Sequence, residues 1–337
     1  MGCENMKKTF IIAEAGCNHN GSIELAYRLI DEAVAAGVDC VKFQTFKAES
    51  LVAADAQMAE YQKKNIGKSE TQFAMLKKLE LSYADFTKLK AYCEGKNILF
   101  LSTPFDLESI DFLDELGMPF WKVPSGEITN YPYLKKLAAT GKPVVMSTGM
   151  SDMTEIRQAI EVLQKYGAGE IKLLHCNTEY PTPMQDVNLL AMLAMHKEFN
   201  CPVGYSDHTK GIEVPIAAVA LGAEVIEKHF TLDRNMEGPD HKASLVPQEL
   251  QAMVAAIRNI EQAVGRPEKF VTDSEGKNRE IARKSIVAKR PLAVGDIFTE
   301  ENLTVKRPGN GLSPMLWEEV LGKKAPHAFA RDEMIEL

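Results

Sequence analysis

The sequence predicts a (β/α)8 barrel followed by a small β-rich domain, and three observations carry that expectation. Short β-branched runs alternate with amphipathic segments about eight times over about 265 residues, the pattern of parallel strands joined by crossover helices and not of hairpins. A charged, polar stretch then interrupts the alternation from Gly265 to Lys284. Beyond it come short apolar runs broken by Gly and Pro. At 337 residues with 45% hydrophobic content, the chain exceeds the usual single domain and accommodates one barrel plus one small module.

The expected strands are Phe10–Glu14, Cys40–Thr45, Ile98–Thr103, Phe120–Pro124, Val144–Thr148, Ile171–Cys176, Val203–Ser206 and Val225–His229, and eight such units fit a closed TIM barrel over residues 1–265. After the first strand, Ser22 can cap a helix whose Leu25, Leu29 and Ala33 share one face, with Gly37 as its stop. The segment from Lys47 to Gln72 follows the second strand and lacks a strong period, so it is expected over the barrel mouth as a lid. The last barrel helix places Leu250, Met253, Ile257, Ile260 and Val264 on one stripe. The stretch GRPEKFVTDSEGKNREIARK reads as a linker over residues 266–284, and residues 285–337 form the small domain, marginal alone.

A formal net charge of −8 and a pI near 5.5 repel nucleic acid and anionic membranes, so an anionic ligand needs a local cluster of cations. The opening MGCENMKKTF runs into an apolar strand without a signal-peptide pattern, Met6 breaks the myristoylation pattern, and the apolar stretch near Pro215 to Ala223 is too short to span a bilayer. A cytoplasmic location is therefore expected. Cys3, Cys17, Cys40, Cys93, Cys176 and Cys201 lie far apart without a CxxC pair and are expected as reduced, mostly buried thiols.

The functional signal is that nearly every expected strand ends in a reactive or hydrogen-bonding residue. In order these are Glu14; Lys42 and Gln44; Ser102 and Thr103; Lys122, Ser125 and Glu127; Ser147 and Thr148; His175, Asn177, Thr178 and Tyr180; Ser206, Asp207 and His208; and Glu227 and His229. A barrel brings such ends together at its C-terminal mouth. One strand-end charge alone is usually a solvated loop residue. The whole set is not, because charges inside an apolar barrel must pair, bind ligand or remain costly. Lys42 and Lys122 with the hydroxyls of Ser125, Ser147 and Ser206 suit a phosphate, the alternative being that each Lys pairs with a nearby Glu. His208 and His229 end adjacent strands, so they could share one divalent cation and leave positions open for water and substrate; alone, either would be a satisfied core histidine. His19 and His241 lie in loops beside the mouth, and His196 and His327 read as surface residues. AGCNHNGS and STGM match no dinucleotide fingerprint or P-loop. By itself, KRPGNG is an exposed basic turn carrying Lys306 and Arg307.

Taken in order, IIAEAGCNHNGS, VKFQTF, LSTPFD, WKVPSGE, MSTGM, LLHCNTEYPTP, GYSDHT, EKHFTLD and EGPDHKASL resemble the bacterial sialic acid synthases, and KRPGNGLSPMLW resembles their antifreeze-like SAF domain. The likeness covers nearly the whole chain. It implies Mn2+, or Mg2+ or Co2+, on His208 and His229, and phosphoenolpyruvate on Lys42, Thr103, Lys122, Ser125, Ser147 and Ser206. It further implies sugar contacts from Gln44, Tyr180, Glu227 and Asp240, with Arg307 supplied across a homodimer that exchanges its SAF domains, and active-site carboxylates at Glu127 and Glu14. Thr178 replaces an Asn of some members, and the segment around Asn65 differs from their sugar-contacting loop.

The activity this implies is N-acetylneuraminate synthesis from phosphoenolpyruvate, N-acetylmannosamine and water. The alternative acceptor is 2,4-diacetamido-2,4,6-trideoxymannose, giving N,N'-diacetyllegionaminate. Glu127 is the expected base for the water, with Glu14 next. Two rivals are a Schiff-base aldolase using Lys42 or Lys122 and a carbohydrate-binding protein built around the small domain, which leaves the polar strand ends unexplained.

Overall fold

The computed structural model describes residues 8–53, 55–60, 62–63 and 71–337. Cys3 and Asn65 lie outside the described residues, as does part of the expected lid. Eight strands form one parallel sheet: β1 Phe10–Gly16, β2 Cys40–Thr45, β3 Leu99–Pro104, β4 Trp121–Val123, β5 Val144–Ser147, β6 Ile171–His175, β7 Val203–Asp207 and β8 Val225–His229. Their order is β3-β2-β1-β8-β7-β6-β5-β4, and β3 also contacts β4, which brings the two ends of the sheet together. The strands are buried almost throughout, as parallel strands covered on both faces must be.

The expected strands are all present, with shifted ends. β1 runs on to Gly16 past an irregularity between Glu14 and Gly16. β4 is only Trp121–Val123, and Ser125–Glu127 forms a 3-10 turn after it. The first helix, Ile23–Ala36, has the expected ends: Ser22 Oγ accepts from Leu25 N at 3.3 Å and Gly37 is left-handed at φ 74°. Its buried face is Ala26, Leu29, Ile30 and Ala33, with Leu25 only half-buried. In the last barrel helix, Pro247–Ala263, Leu250, Met253 and Ile257 are buried and Ile260 packs beside them. Val264 departs from the expected stripe because it follows the helix end and is exposed.

After β2 the chain forms the short helix Ala48–Leu51 and later the helix Gln72–Leu79. Phe46, Ala48, Met58, Met75, Leu76 and Leu79 gather with Cys17 into an apolar cluster separate from the main core, which fixes the described parts of this segment without making them barrel.

The chain divides into two compact units, residues 1–265 and 266–337. Part of the polar stretch read as a linker is a helix, Asp273–Ala282, whose start is held by Glu275 Oε2 accepting from Thr272 N at 3.2 Å and from Thr272 Oγ1 at 3.1 Å, a cap that the charged composition disguises. The second unit pairs β9 Ser285–Ala288 with β10 Leu303–Lys306 antiparallel and has its own core, including Ile286, Phe298, Leu303, Phe329 and Ile335. Cys17, Cys40, Cys93, Cys176 and Cys201 are free thiols. No described helix is long and apolar enough to cross a membrane.

Gly204 marks where the sheet is tightest. A Cβ there would sit 2.2 Å from Val225 O and 2.7 Å from Leu174 Cδ2, so β7 could accept it only by moving away from β8. Gly204→Ala is expected to cost about 1–3 kcal/mol. A denaturation midpoint equal to that of wild type would show that the β7–β8 contact is not as close as described.

Candidate active site

Strand register brings the polar ends together. Glu14 lies beside Lys42 on one side and His229 on the other, Gln44 pairs with Thr103, and Ser206 pairs with Glu227. Because parallel neighbours advance in step, these side chains reach the same level of the barrel mouth. Every barrel residue singled out as catalytic, phosphate-binding, sugar-binding or metal-binding lines one cavity of about 590 Å³. Arg307 belongs to the second unit, where it is exposed and its Nε donates to Ala282 O at 2.9 Å.

At the floor are two lysines, 3% and 2% exposed at Lys42 and Lys122, and the alternative that each pairs with a glutamate is realised. Lys42 Nζ is 2.5 Å from Glu14 Oε2 and 3.7 Å from Glu227 Oε2, while Lys122 Nζ is 3.6 Å from Glu227 Oε1. Glu227, expected at the sugar, thus lies between the two cations. Hydroxyls complete the arrangement: Lys42 donates to Thr103 at 3.0 Å, Lys122 to Ser147 at 2.7 Å, and Ser206 to Glu227 at 2.8 Å. Ser125 stands apart, its Oγ 3.1 Å from Cys176 Sγ and accepting from Gly149 N at 3.0 Å.

The same burial acts on four groups with different outcomes. Burial pushes the Glu227 carboxyl up, but Lys122 and Lys42 outweigh it and hold the group down at about 2. For Glu14 burial wins over Lys42, and the carboxyl rises to about 7. Lys42 is raised, because Glu14 and Glu227 outweigh the burial that would lower it. Lys122 is lowered by burial despite Glu227. The floor therefore holds two ammonium groups against one firm carboxylate and one that loses its charge as pH falls through about 7.

The two histidines stand beside this floor, ring centroids 5.4 Å apart. His208 Nδ1 bonds Asn177 O; a carbonyl only accepts, so Nδ1 carries the proton and Nε2 presents its lone pair. Tyr180 OH donates to that Nε2 at 3.0 Å and stacks on the ring. His229 Nδ1 is buried without a hydrogen-bond partner among the described residues, and Asp240 Oδ2 is 4.0 Å away. Burial lowers His208 to about 4 and His229 well below its ordinary value, so both rings are neutral. Burial raises Asp240 to about 6. Among the described residues no three or more His, Cys, Asp or Glu are grouped to hold a metal. The donors present are these two imidazoles.

Glu127 sits half-buried on the 3-10 turn; burial raises its carboxyl although Asn130 donates to it at 2.6 Å. Phe46, Val52, Met75 and Phe105 also line the cavity and pack in one apolar cluster, which no strand-end pattern announces. The loop histidines lie outside the cavity lining. Gly21 N donates to buried His19 at 3.1 Å, and buried His241 bonds Thr231 and Asn20. His175 bonds Val187 O and lies outside the cavity lining. Lys228 escaped the strand-end reading: its neighbours Glu227 and His229 face the cavity, so alternation sends it to the other side.

A family model described as the NeuB family matches residues 29–269, and one described as the SAF domain matches residues 283–336. The N,N'-diacetyllegionaminic acid synthase of Campylobacter jejuni is 54% identical over 98% of this chain and 99% of its own. That of Legionella pneumophila is 48% identical over 94% of this chain and 90% of its own. A crystal structure of the N-acetylneuraminic acid synthetase of Leptospira borgpetersenii in complex with citrate is 36% identical with a TM-score of 0.71, covering 80% of this chain and 90% of that one. Matches of this length, to a barrel carrying this site, place the chain in the NeuB family.

Proposed function

We propose that this barrel condenses phosphoenolpyruvate with an N-acetylated amino sugar and water, releasing phosphate and a nine-carbon 2-keto sugar acid. The observation that carries the reading is the buried Lys42–Glu227–Lys122 group with the Thr103, Ser147 and Ser206 hydroxyls, set in one cavity with two neutral imidazoles. Lys42 and Lys122 hold the phosphate and carboxylate of phosphoenolpyruvate and orient its methylene carbon toward the sugar's aldehyde. His208 and His229 would hold Mn2+, or Mg2+ or Co2+ in its place, which supplies Lewis-acid polarisation of an aldehyde oxygen when bound; the orphaned His229 Nδ1 fits that use. Gln44, Tyr180 and Asp240 hold the sugar.

Bond formation joins phosphoenolpyruvate C3 to the sugar's aldehyde carbon and leaves C2 electron-poor. Glu127 accepts a proton from the water that adds at C2, and Glu14, whose carboxyl titrates at about 7, is the second candidate for this role. Collapse of the adduct breaks the bond between C2 and the bridging oxygen, and phosphate leaves with that oxygen.

For the acceptor the reading is 2,4-diacetamido-2,4,6-trideoxymannose, in place of the N-acetylmannosamine expected from CNTEYPTP and KRPGNGLSPM. Both curated relatives above are named for N,N'-diacetyllegionaminic acid, and the apolar cluster of Phe46, Val52, Met75 and Phe105 in the lining suits a sugar with an acetamido group at C4 and a methyl at C6 better than one with hydroxyls on those carbons. With phosphoenolpyruvate and manganese, phosphate release should give a kcat/KM for the diacetamido sugar at least ~10-fold above that for N-acetylmannosamine. The reverse order would restore N-acetylneuraminate synthesis.

The reading extends to assembly. Among the described lining residues the only cations are Lys42 and Lys122, both engaged with carboxylates, so a further cationic donor to the sugar would come from elsewhere, and we propose Arg307 of the partner subunit in a domain-exchanged homodimer. Arg307→Ala and His208→Ala should each be inactive, and co-expression should recover about a quarter of wild-type sites, since about half the dimers mix and each has one good site. Mixed dimers without activity would contradict the exchange.

A further inference from the structure

Behind the barrel wall, on the face away from the cavity, lies a second ion pair. Lys228 and Asp207 are register partners on β8 and β7, and both side chains are 0% exposed. Lys228 Nζ lies 2.5 Å from Asp207 Oδ2 and 2.5 Å from Thr209 O. Asp207 in turn accepts from Thr209 N at 2.9 Å and from Thr209 Oγ1 at 3.0 Å. The residues on both sides of His208 are therefore tied to one ammonium group, and that group belongs to the residue immediately before His229.

A buried ion pair is a poor device for stability, since apolar side chains of similar size serve as well or better. What it adds is direction. Lys228 has three donors, and these two acceptors fix how the end of β7 sits against the end of β8. Apolar contacts would let one strand end slide or twist against the other. Slippage matters little for a core and much for two ligands on separate strands.

We infer that Lys228, Asp207 and Thr209 form a positioning clamp that sets the spacing of the His208 and His229 imidazoles for a divalent cation. The inference rests on the metal reading proposed above. Lys228 touches neither cavity nor reacting atoms, so its effect passes through the histidines.

The double variant Lys228→Met, Asp207→Asn removes both charges, and the amide oxygen it places at position 207 can still accept from Thr209 N. Manganese alone is titrated into wild type and variant, with free ion followed by electron paramagnetic resonance, and thermal melting is recorded alongside. The clamp predicts a folded variant whose Mn2+ dissociation constant rises about 10- to 100-fold, with turnover recovering as Mn2+ is raised to saturation. If the double variant does not fold, Thr209→Val, which keeps the Lys228–Asp207 charge pair and removes only the Thr209 Oγ1 hydrogen bond to Asp207, gives the readout and should weaken Mn2+ several-fold. Affinity within twofold of wild type in a folded variant would overturn the clamp. Wild type that binds no Mn2+ would refute the metal reading itself, a different result from a clamp that fails.

Discussion

Two ammonium groups cannot rest at the floor of a barrel without a counter-charge, and in this protein Glu227 serves both. Its carboxylate lies within 3.7 Å of Lys42 and 3.6 Å of Lys122, and together they hold it ionised against a burial that would otherwise protonate it. Breaking such a pair from one side costs about 3–5 kcal/mol, because the remaining charge stays buried. The floor is thus a set of mutual obligations: β8 supplies the anion, β2 and β4 the cations, and β3, β5 and β7 the hydroxyls that fill the remaining valences. Strands far apart in sequence are tied through one carboxylate.

That constraint shapes what the site can do. Glu14, also against Lys42, is left near the point where it gains or loses its proton around neutral pH, so the same burial gives one fixed carboxylate and one adjustable one. The histidines beside it are kept neutral, available as lone-pair donors and not as cations. On the proposed reading, an anionic substrate beside the lysines and an electrophilic sugar meet in a cavity whose lining also includes an apolar cluster.

Much of this was legible in the sequence. The alternation of β-branched runs and amphipathic helices located all eight strands because parallel strands buried on both faces are nearly uniform in composition. Their polar last residues pointed to the mouth. Other features were hidden for physical reasons. The helix Asp273–Ala282 buries nothing, so it has no apolar stripe, and only Thr272 and Glu275 announce it. Strand ends reveal which residues are near the mouth but not who pairs with whom, so the place of Glu227 between two lysines was not legible. Lys228 was passed over because a charge facing out of a barrel reads as solvated, and only the packed structure covers it. Resemblance identified the family but did not decide between the two acceptors.

The proposed function turns on one step, addition of water to C2 of phosphoenolpyruvate with expulsion of phosphate and its bridging oxygen. Phosphoenolpyruvate carrying heavy oxygen at the bridge, turned over with Mn2+ and the diacetamido sugar, tests it by mass spectrometry of both products. The account predicts that the label leaves entirely in the released phosphate. Label retained in the sugar acid would mean that the phosphorus–oxygen bond breaks instead, and the mechanism built on this site would be wrong.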